Sequence, residues 1–370
     1  MLRYRIAAMS AIVALIPLVS DGQEKTDPAK AETKKELTRE EQMKAIEKEF
    51  VEARKSAFKA INTAKTVEER EAGQKLLPQE KTFLPRLQAI LAQNDGDEPA
   101  MTALAMSIFA FNTKDEKILA ALDKNVKNPK IRLLAEVCIG GAPPAMVKVL
   151  ERISKENPEK DVRGIACYAM AGNAFDAAEQ QELPEGKSPD YKEAEALFAR
   201  LEKEFGDVKI DKNTLADVAK GYLFEIRNLA VGMKAPAAAS KNLKGEAVTL
   251  ADLKGKVVVL DFWATWCGPC RAMIPHEREL VERHKDKPFV FVSVSADDEK
   301  KDLEEFMKEE KMPWTHWWQG PDAPLLKTWN IRKFPTVYVL DTAGVIRHKD
   351  IRGESLDKAV KALLAETEKK

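Results

Sequence analysis

Asp261-Phe262-Trp263-Ala264-Thr265-Trp266-Cys267-Gly268-Pro269-Cys270 follows directly on the apolar run Val257-Val258-Val259-Leu260. The run reads as a buried strand, and the two cysteines flank Gly-Pro where a helix would begin. A Cys-x-x-Cys in that place puts the first sulfur at the helix N-terminus. There the unpaired N–H groups and the helix dipole favour a thiolate. The second sulfur lies one turn on, within reach of a mixed disulfide formed at the first. This is the arrangement that thiol–disulfide exchange requires.

Other uses of the pair fit less well. A zinc site needs about four ligands, usually with a second Cys or His pair at matching spacing. The remaining cysteines, Cys138 and Cys167, are isolated in the sequence, and no His-x-x-x-His pair occurs. Haem attachment requires His directly after the second cysteine, where this chain has Arg271. The Pro-x-x-x-Thr-x-x-Cys of a peroxiredoxin is absent, since Leu260 and Ala264 hold those places before Cys267. A purely structural disulfide remains the plain alternative.

The segment resembles thioredoxin. Asp261, Trp263 and Trp266 stand where thioredoxins carry an acid and two tryptophans. Ile331-Arg332-Lys333-Phe334-Pro335-Thr336, followed by Val337-Tyr338-Val339-Leu340, is similar to the cis-proline loop that faces the cysteines and to its strand. Val231-Gly232-Met233-Lys234-Ala235-Pro236 and Leu253-Lys254-Gly255-Lys256 resemble the beginning of extracytoplasmic members of the TlpA/ResA type. Two departures stand out. Met273 occupies a position where those relatives often have Glu, and Asp261 is the thioredoxin residue rather than their Asn.

The resemblance, over residues 231–370, implies a redox disulfide Cys267–Cys270, with Cys267 as nucleophile and Cys270 as resolving thiol. It implies Asp261 as the acceptor of the Cys270 proton, since a carboxyl buried between Leu260 and Phe262 has a raised pKa. The alternative is a solvated or backbone-bonded Asp261. Trp266, Gly268, Pro269, Phe334 and Pro335 form the expected substrate-binding surface. A cis bond before Pro335 would expose backbone for an extended substrate; a trans proline opening an edge strand is the other possibility. Trp263 is expected in the core. Trp314, Trp317 and Trp318 read as core on alternate members, with one exposed ring as a partner contact. No cofactor and no metal is expected.

The 370 residues suit two domains. Lys+Arg and Asp+Glu are both 60, so charge gives no reason to expect nucleic acid or an acidic lipid surface as partner. Four cysteines are too few for a disulfide scaffold. Arg3 and Arg5, the apolar stretch Ile6 to Ser20 and the small residues Ser20-Asp21-Gly22 read as a secretory signal cleaved after Gly22. An uncleaved membrane anchor is the alternative, though the apolar run is short of the roughly 20 residues needed to span. Residues 23–46 read as a charged tether, within which Thr38-Arg39-Glu40-Glu41 has the form of a capping box.

From residue 47 to 230 apolar residues recur at helical steps, as in Leu84, Leu87, Ile90, Leu91. Asn128-Pro129 and Asn157-Pro158 open similar stretches, and aligning Arg132 with Arg163 gives a period of 31, within the range of helical repeats. Cys138 and Cys167 read as buried small hydrophobes that could alternatively pair. All 4 histidines and all 6 tryptophans lie in the C-terminal part, so the helical part is read as a recognition module.

The expected architecture is therefore an all-α N-terminal domain, with helical-hairpin repeats an open reading, and a C-terminal α/β thioredoxin-like domain from 231 to 370. The expected activity is reduction of disulfides in exported proteins, apocytochromes among them, with a membrane or soluble thiol partner recycling the dithiol. An oxidase or isomerase on the same site is one alternative. A scaffold whose helical domain binds a protein partner is another.

Overall fold

A computed structural model describes residues 37–181, 187–320 and 324–368. The signal and residues 23–36 of the tether lie outside the described residues. The chain divides into two compact units, residues 1–176 with 203–215, and residues 177–202 with 216–370.

The helical unit begins earlier than the tether reading placed it. Thr38 Oγ1 accepts from the Glu41 N–H at 3.2 Å and the Glu41 carboxylate accepts from the Thr38 N–H at 2.7 Å, so the capping box forms. The helix Arg39–Thr63 follows and buries Met43, Ile46, Phe50 and Ala57. Residues 39–46 are thus helix rather than tether. Met43, Ile46 and Phe50 sit at steps of three and four, which makes an apolar stripe out of a segment whose composition is charged.

The 31-residue echo becomes a ladder of asparagines. Asn125 Nδ2 donates to the Asp95 carbonyl at 2.7 Å, and Asn128 Nδ2 to the Gly96 carbonyl at 2.7 Å. One repeat on, Asn157 Nδ2 donates to the carbonyls of Val126 at 2.8 Å and Asn128 at 3.1 Å. Each such bond to a buried carbonyl contributes about 1 kcal/mol, and losing it strands a polar group. Ion pairs Arg132–Asp161 and Arg152–Asp123 run across the same spacing. These bonds link segments about thirty residues apart in the chain. The unit is not wholly helical, because Lys209–Ile210 and Asn213–Thr214 form a small antiparallel hairpin.

Cys138 and Cys167 are buried in this unit as thiols, not as a disulfide. Burial alone raises the Cys138 pKa far above the ordinary thiol value. Replacing both by Ala will leave disulfide reduction unchanged while costing about 1–2 kcal/mol of stability for the emptied volume. Loss of turnover in a folded double variant would show a second redox site.

The second unit holds a seven-stranded mixed sheet. Its strands are β1 Ala239–Asn242, β2 Ala247–Thr249, β3 Val257–Trp263, β4 Phe289–Ser295, β5 Thr315–Trp318, β6 Thr336–Leu340 and β7 Ile346–Lys349, in the order β2-β1-β5-β4-β3-β6-β7. β3 pairs in parallel with β4 and antiparallel with β6, so it is central and buried at all seven residues. Around the sheet lie helices α1 Gly268–Arg271, α2 Ile274–Arg283, α3 Lys300–Glu309, α4 Pro324–Thr328 and α5 Glu354–Thr367. One face of the sheet packs Val257, Val259, Phe291, Val337 and Val339 against Leu280 of α2 and Leu356, Val360 and Leu363 of α5. The other packs Val258, Leu260, Phe262, Val292 and Val294 with Trp317 and Trp329.

The structure departs from the sequence reading at several points. The unit reaches back before residue 231: Phe224 and Leu229 join the core, and buried Glu225 accepts from Lys349 Nζ at 2.6 Å and Asn330 Nδ2 at 2.6 Å and pairs with Arg332. The helix that begins after Cys267 is not continuous: it is broken into α1 and α2, with Pro275 at the second residue of α2, where its missing N–H has no intrahelical partner to lose. Asp297 follows β4 where an acid would suit the N-cap of the next helix, but α3 starts after Glu299 without a side-chain cap. The polar hairpin β1–β2 lacks the apolar alternation that marks a strand in sequence. Among the Trp314-Trp317-Trp318 cluster no ring is exposed. Trp317 is core, while Trp314 Nε1 donates to Ser293 Oγ at 2.8 Å and Trp318 Nε1 to the Asp297 carbonyl at 3.0 Å.

Candidate active site

β3 ends at Trp263 and the chain turns through Ala264-Thr265-Trp266 into α1. Asp297, at the end of β4, accepts from the Thr265 N–H at 2.9 Å and from Thr265 Oγ1 at 2.7 Å. Ser295 Oγ donates to its other oxygen at 2.6 Å. This clamp holds the turn that delivers Cys267 to the N-cap of α1. The sequence reading missed it, because an Asp after a strand also looks like a helix cap.

Cys267 and Cys270 are joined, with an S–S length of 2.05 Å. Cys267 Sγ accepts from the Cys270 N–H at 3.2 Å, the bond a Ser or Asp oxygen makes at an N-cap. Because α1 is a single turn, this N–H, rather than a long helix dipole, is what favours charge on Cys267. Both sulfurs are well covered: Cys267 is 5 % exposed and Cys270 3 %. Exposure therefore does not rank them, and the N-cap position does. They pack with Trp263, Ala264, Ile274, Leu303 and Met312, and against Phe334. Trp263 is core, as expected.

Trp266 is 66 % exposed, its ring edge-on to Phe334 at 5.7 Å between centroids. The Phe334–Pro335 bond is cis. Arg352 donates to the Pro335 carbonyl at 3.0 Å, and Asp350 braces β6 through its backbone N–H to Val337 O at 2.7 Å. Gly268 lies on the other side of Cys267 and lines a groove with Arg271, Ala272, Ile274, Phe306 and Glu310. Arg271 stacks over Phe306 at 5.3 Å. Trp266, Gly268 and Phe334 thus surround the disulfide, and Pro269 lies in the first turn of α1.

Asp261 is 3 % exposed, and its Oδ1 has no hydrogen-bond partner. Burial pushes its pKa up to about 7, against an opposing pull from the Arg352 guanidinium. The solvated or backbone-bonded alternative does not hold for Oδ1. A second buried carboxyl, Glu277, is 2 % exposed, with its pKa pushed up to about 9 by burial and by the charge of Asp261. Sequence reasoning passed over Glu277 and Arg352. Glu277 sits among Glu and Arg residues of an amphipathic helix, and only its place on the inward stripe with Ile274, Leu280 and Val281 marks it.

A mixed sheet with a Cys-Gly-Pro-Cys disulfide at the end of an interior strand and a cis-proline loop beside it defines a thioredoxin-like thiol–disulfide exchange protein. Residues 230–364 match the family model described as Redoxin. A thiol-disulfide oxidoreductase ResA of Bacillus thuringiensis subsp. konkukian is 30 % identical over 137 residues, which is 36 % of this chain and 77 % of that protein. The thioredoxin-like protein YneN of Bacillus subtilis is 37 % identical over 120 residues, 31 % of this chain and 68 % of that protein. The crystallised thioredoxin domain of a thiol-disulfide oxidoreductase from Bacteroides vulgatus is 33 % identical, with a TM-score of 0.35, covering 36 % of this chain and 96 % of that one. The chain belongs to the ResA-type family of thiol-disulfide oxidoreductases, through its C-terminal unit.

Proposed function

We propose that this protein is an exported dithiol reductant of protein disulfides. The observation that carries the reading is Cys267 at the N-cap of α1 with Asp261 buried behind it. In the reduced protein the Cys267 thiolate attacks a substrate disulfide. One substrate sulfur leaves with the electron pair and takes a proton from water, and Cys267 is held in a mixed disulfide. Cys270 then gives its proton to Asp261 and attacks Cys267 Sγ. The second substrate sulfur leaves, and the Cys267–Cys270 disulfide remains. Two electrons have passed to substrate. Trp266, Gly268, Pro269 and Phe334 supply the surface on which an extended substrate segment lies, and the backbone beside Pro335 supplies pairing groups.

Its substrates are disulfide-containing exported proteins, with apocytochromes one candidate. A membrane or soluble thiol partner re-reduces the disulfide. The helical unit, which carries no histidine or tryptophan, serves as a protein-docking module. The signal-like segment at residues 1–22 supports export. No helix of the described residues is long and apolar enough to cross a membrane.

Direction is tested by the reduction potential of the Cys267–Cys270 pair against glutathione. A value near about −270 mV is expected for a reductant, whereas one near about −120 mV would make the protein an oxidant.

A further inference from the structure

Two carboxyl groups lie in the apolar layer behind the disulfide. Asp261 continues the β3 face that carries Val257 and Val259, because residues two apart on a strand share a face. Those valines pack with Leu280, Val281 and Met273. Glu277 stands four residues after Met273 and three and four before Leu280 and Val281, so it belongs to the same helical stripe. The strand and the helix therefore turn Asp261 and Glu277 into one layer, at the end nearest Cys270. Neither is more than 3 % exposed. Asp261 Oδ1 has no hydrogen-bond partner among the described residues. A lone carboxylate in such a layer is costly, and a Leu would fill the place better if packing were its only task.

We propose that Asp261 and Glu277 act as one two-carboxyl unit that holds a single proton across the neutral range. One carboxylate of the unit takes the Cys270 proton while Cys270 attacks Cys267 Sγ. When a recycling thiol later attacks the disulfide and Cys270 leaves as thiolate, the unit returns a proton to it. Glu277 is then a positioning residue, acting on Cys270 through Asp261. The inference rests on the proton-acceptor role proposed for Asp261.

The surrounding charges permit this. Arg352, ahead of α5, favours the charged form of Asp261. Asp357 of α5 is turned to His276 and Arg283, at 3.1 Å each, and not to Glu277. β4 presents Ser293 opposite Asp261, and its hydroxyl accepts from Trp314. α1 carries Cys270 and Arg271, whose guanidinium lies over Phe306 at 5.3 Å. Two carboxyls whose charges repel lose their protons in two steps that belong to the pair.

The experiment titrates the side-chain carboxyl carbons by NMR in the oxidised protein, where Cys267 and Cys270 carry no proton, for wild type, Glu277→Gln and Asp261→Asn. In wild type both carbons are expected to respond in both steps. Glu277 in D261N should titrate in one step, at lower pH than its upper step in wild type, and this arm leaves Glu277 itself unaltered. A second arm follows resolution of a mixed disulfide with an aromatic thiol from about pH 5 to about pH 10. E277Q should slow it about tenfold near neutrality and reduce its two-step pH profile to one, less than the hundredfold or more of losing a general base itself. A Glu277 carbon that titrates identically in wild type and D261N overturns the proposal, even if D261N slows resolution, in which case Asp261 acts alone. If D261N leaves resolution unchanged, the Asp261 reading falls and this inference falls with it.

Discussion

Cys270→Ser will stop the reaction at the mixed disulfide. Cys267 keeps its N-cap place and its attacking thiolate, since the Cys270 backbone N–H survives the change. The serine hydroxyl cannot cleave the new bond, so release waits for an outside thiol. A positioned internal thiol acts at an effective concentration on the order of 10⁵ M or more, far beyond any millimolar reductant. Turnover should fall by about a thousandfold or more, and substrate should stay covalently attached on a non-reducing gel. Cys267→Ser should trap nothing. The opposite pattern, with adducts on Cys270 in C267S, would reverse the two roles.

Asp261→Asn should lengthen the life of the mixed disulfide by about a hundredfold near pH 7, the usual scale for removing a general base, and leave its formation unchanged. Formation needs only the Cys267 thiolate, whereas release needs Cys270 deprotonated in a dry layer. The same variant should be more stable than wild type at neutral pH, with a sign that follows from linkage. Asp261 has a folded pKa of about 7, above its ordinary value of 3.8. Between these the folded protein binds more protons than the unfolded chain, so wild-type stability falls as pH rises through that window. The loss approaches roughly 4 kcal/mol above pH 7. Asn does not titrate, so the gap between variant and wild type should be near zero below about pH 4 and widen towards neutrality. Equal denaturant midpoints at both pH values would mean that Asp261 is not held in a desolvating layer. An unchanged lifetime would leave it a structural residue.

The site was legible where chemistry and chain order coincide. Val257–Leu260 as an all-apolar run, the Cys-x-x-Cys after it and Asp261 six residues ahead of Cys267 are local patterns, and each kept its place in the fold. Phe334-Pro335 was legible through family likeness. The asparagine ladder was half legible, because the Asn-Pro pairs showed its period but not the carbonyls they reach. Illegible residues act through distance. Asp297 reads as a cap until its hydrogen bonds to Thr265, 32 residues away, are seen. Glu225 reads as one more acid of a helix until Lys349 and Arg332 close on it.

By itself the sequence determined the class of this protein. An unbroken apolar run and a sulfur spacing of three are written between Val257 and Cys270, and backbone sterics turn them into a strand, a turn and an N-capping thiol. The tertiary structure decided the electrostatics. Whether a carboxyl is charged depends on what surrounds it, and Asp261 and Glu277, 16 positions apart in the chain, meet only because β3 and α2 pack one layer between them. Desolvation is a property of that layer, so no local pattern around Glu277 could have carried it.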